Sequence, residues 1–416
     1  MTSLVTSAPA LLLACAASLS AWAAPDARLL AAARAAEPAV VQSLKDMVAI
    51  ESGTMDAPGL GKMADYAEAR LKALGMQVER SKSGAAQRDL LVGRISGTGQ
   101  RRLMLIGHMD TIYWPGTLVS QPIRQDGNKL YGPGIADDKG GIAVILHALA
   151  ILRDAGWRDY AQLTVLLNSD EESGSGGSGD PIATLGGQHD VVLSYEPTAA
   201  KEVAKAEGVL LSAAGAVPLT MTVKGRTAHA GVAPQLGRNA LIEAAHQMLQ
   251  TRDIAKDIPG VQLNWTTLDT GKTRNQIPDT ATVGGDVRLT AAGGDEQLLA
   301  ALRAKAAASR LVPDTETSFA LGAGRPPFVG GDRTLALARR AQAIYAELDN
   351  RPLTLVPGTG GGTDAGFANR SGKPAVLEGL GLAGWGYHAK DEYIEIDSIV
   401  PRLYLSTRLL MDLARQ

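Results

Sequence analysis

Short apolar blocks and amphipathic stretches alternate through the first half of the chain. Leu90-Leu91-Val92, Leu103-Met104-Leu105-Ile106, Leu163 to Leu167 and Val191 to Leu193 are compact apolar runs, the pattern of strands buried on both faces. Between them, apolar positions recur at helical spacing from Pro38 to Ile50, from Gly61 to Leu74 and from Ile142 to Leu152. Pro38 then falls in a first turn, where a missing N–H costs nothing, and Gly75 and Gly156 close the other two helices. Strands alternating with helices predict an α/β fold with a mostly parallel sheet covered on both faces.

The pattern changes near Ala213. Val217 to Val223 alternates as a half-exposed strand, Asn239 to Thr251 is helical, and Val261 to Leu268 and Thr282 to Leu289 are further strands. A helix follows from Glu296 to Arg310. This is a smaller α+β unit, predicted over residues 213–325. From Thr334 the chain returns to helix, glycine-rich loop, strand and a final helix, Ser398 to Leu413. The 416 residues exceed what one core supports, so residues 25–212 and 326–416 are expected to form one domain interrupted by the insertion.

Residues 1–24 stand apart. Leu11 to Ala24 is apolar and small, and Ala21-Trp22-Ala23 offers a small-x-small cleavage site. The apolar stretch is about 15 residues, short for a membrane span. A secretory signal peptide is the expectation, and a periplasmic or secreted enzyme follows from it. Leu12-Leu13-Ala14-Cys15 also loosely resembles a lipoprotein processing site. Cys15 is the single cysteine, so the mature chain has no disulfide, no thiolate nucleophile and no cysteine-based metal site. With 41 basic and 43 acidic residues and no long block of either sign, a broad nucleic-acid-binding surface is disfavoured.

The chemistry collects where strands should end. His108-Met109-Asp110, Glu171-Glu172 and Glu196 each follow an apolar run, Asp137-Asp138 sits in a glycine-rich loop before a helix, and His388 lies far downstream. Taken singly, each has a bland reading: a surface pair, a solvated turn, a helix cap. In parallel sheets strand ends share one edge, so these groups converge. His108 and His388 each offer an imidazole nitrogen, and Asp110 is placed to orient the His108 ring. Asp137 can bridge two metals, and Glu172 and Glu196 can each complete one coordination sphere. Glu171, beside a ligand but pointing elsewhere, suits a general base. The nitrogen and oxygen donors suit zinc, with cobalt or manganese as substitutes. Paired ions of this kind serve hydrolysis. A dinucleotide-binding alternative fails, because no Gly-x-Gly-x-x-Gly turn follows an early strand.

Several motifs carry a family resemblance along nearly the whole mature chain. They are Gly107-His108-Met109-Asp110-Thr111, Tyr131 to Gly141, Asn168 to Glu172, Ser194 to Pro197, Ala228-His229-Ala230-Gly231, Gly360 to Asp364 and Gly386-Tyr387-His388. They resemble the M20 metallopeptidases, and within them the glutamate carboxypeptidase branch. The resemblance implies two zinc ions per chain, one on His108 and Glu196, the other on Glu172 and His388, with Asp137 shared and Glu171 as base. It implies a cis peptide at Asp137–Asp138. It also implies a homodimer built through the insertion, with His229 reaching the neighbouring subunit's site to steady the oxyanion.

The resemblance further implies that the insertion acts as a lid, with Asn275, Arg288 and Arg325 where the family's lid residues approach substrate. An arginine fork suits a terminal carboxylate, and Gly361 lies in a loop whose backbone N–H groups can meet the same group. Ser173 to Gly179 is rich in glycine and presents few side chains beside Glu171. The expected activity is hydrolysis of the amide before a C-terminal amino acid, with glutamate from folate-like or N-acyl conjugates favoured. An N-acyl-amino-acid amidohydrolase or dipeptidase of the same fold is the nearest rival. A non-catalytic metal- or ligand-binding protein is the alternative of another class, and the presence of Glu171 argues against it.

Overall fold

The computed structural model describes residues 24–415; the predicted leader, with Cys15 and the cleavage motif, lies outside them. Its centre is a six-stranded sheet in the order Gln77–Ser83, Arg88–Ser96, Gln162–Asn168, Arg102–His108, Val191–Ser194, Ala375–Leu377. The last four run parallel, and the first two add antiparallel at one edge. The strand period of two sorts the side chains. Leu103, Leu105, Val165 and Leu193 enter one core under the helices Ala27–Val48, Lys139–Asp154 and Ile399–Ala414. Met104, Ile106, Leu166 and Val192 enter the opposite core with Ile182, Phe328 and Phe367. Continuous apolar strands therefore mark a sheet buried on both faces.

Two local expectations change. The first helix spans Ala27–Val48, so Pro38 lies in its interior rather than its first turn. Asp26 caps it, its Oδ1 accepting the N–H groups of Arg28 and Leu29 at 3.0 and 3.1 Å. Leu29, Ala33, Val40, Leu44 and Met47 form one buried stripe that runs through the proline. Burial of that stripe outweighs the hydrogen bond the ring forfeits, a defect of about 3 kcal/mol in an isolated helix. The outer strand Gln77–Ser83 has no apolar run to announce it. It is mostly exposed and held by its ladder to Arg88–Ser96.

Residues 215–321 build a second core. Four antiparallel strands, ordered Val261–Thr270, Thr280–Leu289, Gly215–Lys224, Glu316–Leu321, carry the helices Ala240–Thr251 and Gly294–Ala308. Leu219, Met221, Val223, Val283, Val287, Leu298, Leu302 and Phe319 fill the space between. Entry and exit lie side by side: Ser212–Ala213 pairs with Phe328–Val329, and Ala216 with Arg325 exchanges both backbone hydrogen bonds at 2.8 and 3.0 Å.

The returning segment is locked to the first core by a buried charge cluster. Glu207 accepts from Arg402 Nε at 2.8 Å, from Arg351 at 2.6 Å and from the Tyr345 hydroxyl. Arg402 also donates to the Gly208 and Gly379 carbonyls. Burial works to raise the Glu207 pKa, yet Arg402 and Arg351 hold it below the usual range. Among the described residues no helix is long and apolar enough to cross a membrane. Glu207→Ala leaves the Arg402 charge buried without its carboxylate and is expected to cost about 3–5 kcal/mol. Urea denaturation checks this; a loss below about 1 kcal/mol would place the cluster among pairs of little net value.

Candidate metal centre

Three parallel strands end together at one edge of the central sheet. Arg102–His108 terminates on His108, Gln162–Asn168 leads into the turn Glu171–Ser173, and Val191–Ser194 leads into Tyr195-Glu196. Asp137 comes from the loop before the helix Lys139–Asp154, and the Asp137–Asp138 peptide is cis. His388 sits in the turn joining Ala383–Trp385 to Tyr393–Glu395, with its backbone at φ 61°.

These side chains form two half-sites around Asp137. His108 Nε2 lies 3.0 Å from Asp137 Oδ1 and 3.7 Å from Glu196 Oε1. His388 Nε2 lies 3.2 Å from Glu172 Oε2 and 3.5 Å from Asp137 Oδ2. Asp137 thus turns one oxygen to each ring. Donor atoms of His108, Asp137 and Glu172 lie mutually close enough to hold one ion, as do those of His108, Glu171 and Glu196. Glu171 is otherwise engaged: its Oε1 is 2.6 Å from Arg325 Nη1, and the same guanidinium donates to its backbone carbonyl.

Asp110 has more contacts than its spacing suggests. The His108 Nδ1 lies 3.1 Å from the Asp110 carbonyl oxygen and 3.4 Å from its carboxylate. That carboxylate also accepts the N–H groups of Glu171 and Glu172 at 3.2 and 3.1 Å and the Thr54 hydroxyl at 2.9 Å. One buried side chain therefore ties the first histidine to the acidic turn.

The charge pattern is uncompensated as it stands. Burial pushes the Glu171 carboxyl up to about 8 despite Arg325 and His108, and burial also raises Glu172 and Glu196. Burial acts against the His108 imidazolium, but Asp110, Asp137 and Glu196 outweigh it and hold its pKa well above the usual value. Asp137 and Glu172 raise His388 to about 10. Burial disfavours ionised Asp137, yet the two rings hold its carboxyl below the ordinary range. Two imidazoles thus face four carboxylates at close range, a grouping that favours a bound cation. The donor set of imidazole and carboxylate, with no cysteine among the described residues, fits zinc, cobalt or manganese.

A cleft of about 850 Å³ opens from this centre toward the second core. Arg288, Arg325 and Gly361 line it with Thr220 and Gly284. Both arginines already have acidic partners. Arg288 forks onto Asp286, with Nε–Oδ1 2.8 Å and Nη2–Oδ2 3.1 Å, and Arg325 grips Glu171. Asn275 and His229 are not part of the cleft's lining. They sit on the exposed pair Ala228–His229 and Gln276–Ile277 or beside it, where the Asn275 carbonyl accepts the Ala230 N–H. His229 Nδ1 accepts the N–H groups of Gly231 and Val232, both at 3.1 Å, which leaves the ring proton on Nε2.

Several buried polar residues at the centre escape a reading of the sequence. Asp138 Oδ2 accepts the His108 N–H at 3.1 Å. Glu392 receives three N–H groups of the Asp137 loop. Asp364, reached by Asn168 and Ser175, anchors the loop after Glu172. Lys390-Asp391-Glu392 looks like a solvated charge run, whereas Asp138 stands in the Asp137-Asp138 motif and Asp364 ends Gly360-Gly361-Gly362-Thr363-Asp364, so both had a signal without a role.

Comparison with known proteins agrees with this geometry. Residues 104–412 match the model of peptidase family M20/M25/M40. The chain is 44% identical over 390 residues to carboxypeptidase G2 of Pseudomonas sp. (strain RS-16), covering 93% of this chain and 92% of that one. Among solved structures, aminopeptidase PepT from Bacillus cereus ATCC 10987 superposes with a TM-score of 0.70 at 20% identity, covering 91% of this chain and 99% of that one. The M20 family metallo-carboxypeptidase Sso-CP2 from Sulfolobus solfataricus gives 0.70 at 15% identity with the same coverage. These two likenesses speak for the fold. With the family match spanning the metal centre and the long relative spanning both cores, the chain belongs to peptidase family M20/M25/M40.

Proposed function

We propose that this protein is a dizinc carboxypeptidase that hydrolyses the amide before a C-terminal amino acid, with glutamate on a folate-like or N-acyl conjugate as the favoured leaving group. The observation that carries the reading is Glu171, a buried carboxylate held by Arg325 beside the His108–Asp137–Glu196 and His388–Asp137–Glu172 clusters. It lies near enough to His108 and Glu196 to face the same ion but is already engaged by the guanidinium. The 44% identity to carboxypeptidase G2 along 93% of the chain supports the choice of substrate class.

In this reading His108 and Glu196 would hold one zinc ion and Glu172 and His388 the other, with Asp137 available to both. When bound, the ions polarise the scissile carbonyl and make water acidic enough to attack at neutral pH. Glu171 accepts the proton of the attacking water and delivers it to the leaving nitrogen as the C–N bond breaks, so a carboxylate and an amine leave. Asp110 keeps the His108 ring and the Glu171-Glu172 turn in register. Arg288, Arg325 and the amides around Gly361 receive the substrate carboxylate.

His229 and Asn275 act in the neighbouring subunit's site, with His229 steadying the oxyanion. The homodimer this requires is supported by the outer edge of Val261–Thr270, which no strand covers among the described residues, and by exposed Ile242, Leu249 and Leu268 on the same unit. Residues 1–24 act as an export signal, which places the enzyme in the periplasm or outside the cell.

Glu171→Gln is expected to keep its metal and lose roughly 10²–10⁴-fold in kcat, the usual worth of a positioned base. Asp137→Asn is expected to lose metal itself, read by elemental analysis of the purified protein. Full turnover by Glu171→Gln would remove the assigned base. A substrate panel decides the class: folate, an N-acyl glutamate, an N-acyl alanine and a dipeptide, assayed with metal content. About two zinc ions per chain with glutamate release from folate is the expected result. Preference for the other compounds would move the protein to an amidohydrolase or dipeptidase role, and absence of both metal and turnover after zinc reconstitution would leave a binding protein.

A further inference from the structure

We propose that Glu392 is a positioning residue that sets the spacing between the two halves of the metal centre, and that the His388 half depends on it. The inference rests on the metal-centre reading above. Glu392 is 1% exposed and coordinates nothing in that reading, because its oxygens are already engaged. Oε1 accepts the N–H groups of Ala136 and Asp137 at 2.9 and 3.0 Å. Oε2 accepts the Gly134 N–H at 2.9 Å and the Tyr113 hydroxyl at 2.7 Å. The Glu392 carbonyl takes the Gly132 N–H at 3.1 Å as well. A carboxyl group meeting four donors is held in place by a nest of backbone N–H groups and one phenol.

These contacts join three loops. Gly132 to Asp137 carries the shared ligand, and Gly386 to Glu392 carries His388. Tyr113, three residues beyond Asp110, connects both: its hydroxyl lies 2.8 Å from the Ala389 carbonyl, the alternative acceptor for its single proton. His388 itself is half-exposed and its ring pairs with the Asp137 and Glu172 carboxylates, and its backbone belongs to the turn that Glu392 closes. The His108 half has its own restraint. His108 ends a central strand, its N–H is held by Asp138 and its ring by Asp110. Loosening Glu392 therefore frees Asp137 and His388 relative to each other, while His108 at the end of its strand and Glu196 just beyond the end of its own keep their places.

The test is stepwise zinc binding to the metal-stripped full chain by calorimetry, comparing wild type, Glu392→Gln, Tyr113→Phe and His388→Ala. Gln keeps the shape but turns an NH2 toward the Gly134 N–H or toward those of Ala136 and Asp137. The expected result is that His388→Ala identifies one of two binding steps, and Glu392→Gln weakens that same step by about 10–100-fold, the usual effect of a residue that orients metal ligands. The other step should move less than about threefold, and Tyr113→Phe should shift the same step by a smaller factor. Equal weakening of both steps, or unchanged affinities with only a lower melting temperature of the metal-free protein, would reduce Glu392 to a structural residue and overturn the proposal. Should Glu392→Gln fail to fold, Tyr113→Phe alone decides, since an unmoved His388 step would remove the brace. A wild-type chain that binds no zinc overturns the metal-centre reading and this inference with it. Two clean steps in wild type with no selective loss in the variants overturn only the inference.

Discussion

Carboxylates crowded into a dry pocket repel one another, and the architecture around this centre is organised by that constraint. Asp137, Glu171, Glu172 and Glu196 meet at the end of the central sheet, where His108, His388 and Arg325 offset them. Such a cluster relaxes apart unless each member is fixed from behind. Asp110 holds the acidic turn by two backbone N–H groups, Glu392 holds the Asp137 loop by three, and Asp138 holds the His108 strand end by one. The fixing groups are themselves acids, so they accept from N–H groups that a folded loop would otherwise leave unpaired. Repulsion at the front and hydrogen bonding at the back together make a site that favours bound cations.

The same logic explains why the two cores meet where they do. Arg325 leaves the second core at the point where entry and exit strands pair, and its side chain runs back to Glu171. Gly362 makes room for it: a Cβ there would lie 2.9 Å from Arg325 Nη1. A movement of the second unit about this joint would be felt at the base through one guanidinium. The second unit's exit and the proposed base are thus linked by one guanidinium.

Much of this was legible in the sequence because buried parallel strands write themselves as unbroken apolar runs, and ligands sit where those runs stop. His108 after Leu103 to Ile106, Glu171-Glu172 after Leu163 to Leu167, and Glu196 after Val191 to Leu193 all follow that rule. The failures have equally local causes. Pro38 marks a helix start only when the preceding residues are poor helix formers, and Ala27 to Ala36 are the opposite. Gln77–Ser83 is an edge strand whose pairing, rather than its side chains, defines it. Glu392 was hidden because burial of a charged residue depends on which N–H groups fold around it, and neighbouring letters carry no trace of that.

The division of labour between the cores bears on specificity. Every proposed zinc ligand lies on the first core or the returning segment, whereas Arg288, Asn275 and His229 lie on the second unit. Substitutions in the second unit can alter what is recognised without touching the ions. Recognition there is also not a matter of spare positive charge. Arg288 is matched by Asp286 and Arg325 by Glu171, so a substrate carboxylate has to share or displace an existing acidic partner. For Arg325 that displacement would release the carboxylate assigned as base. A substrate lacking a suitably placed carboxylate leaves both pairs closed. Under the proposed function, selection would come from competition within these two ion pairs, of which that of Arg325 reaches the proposed base.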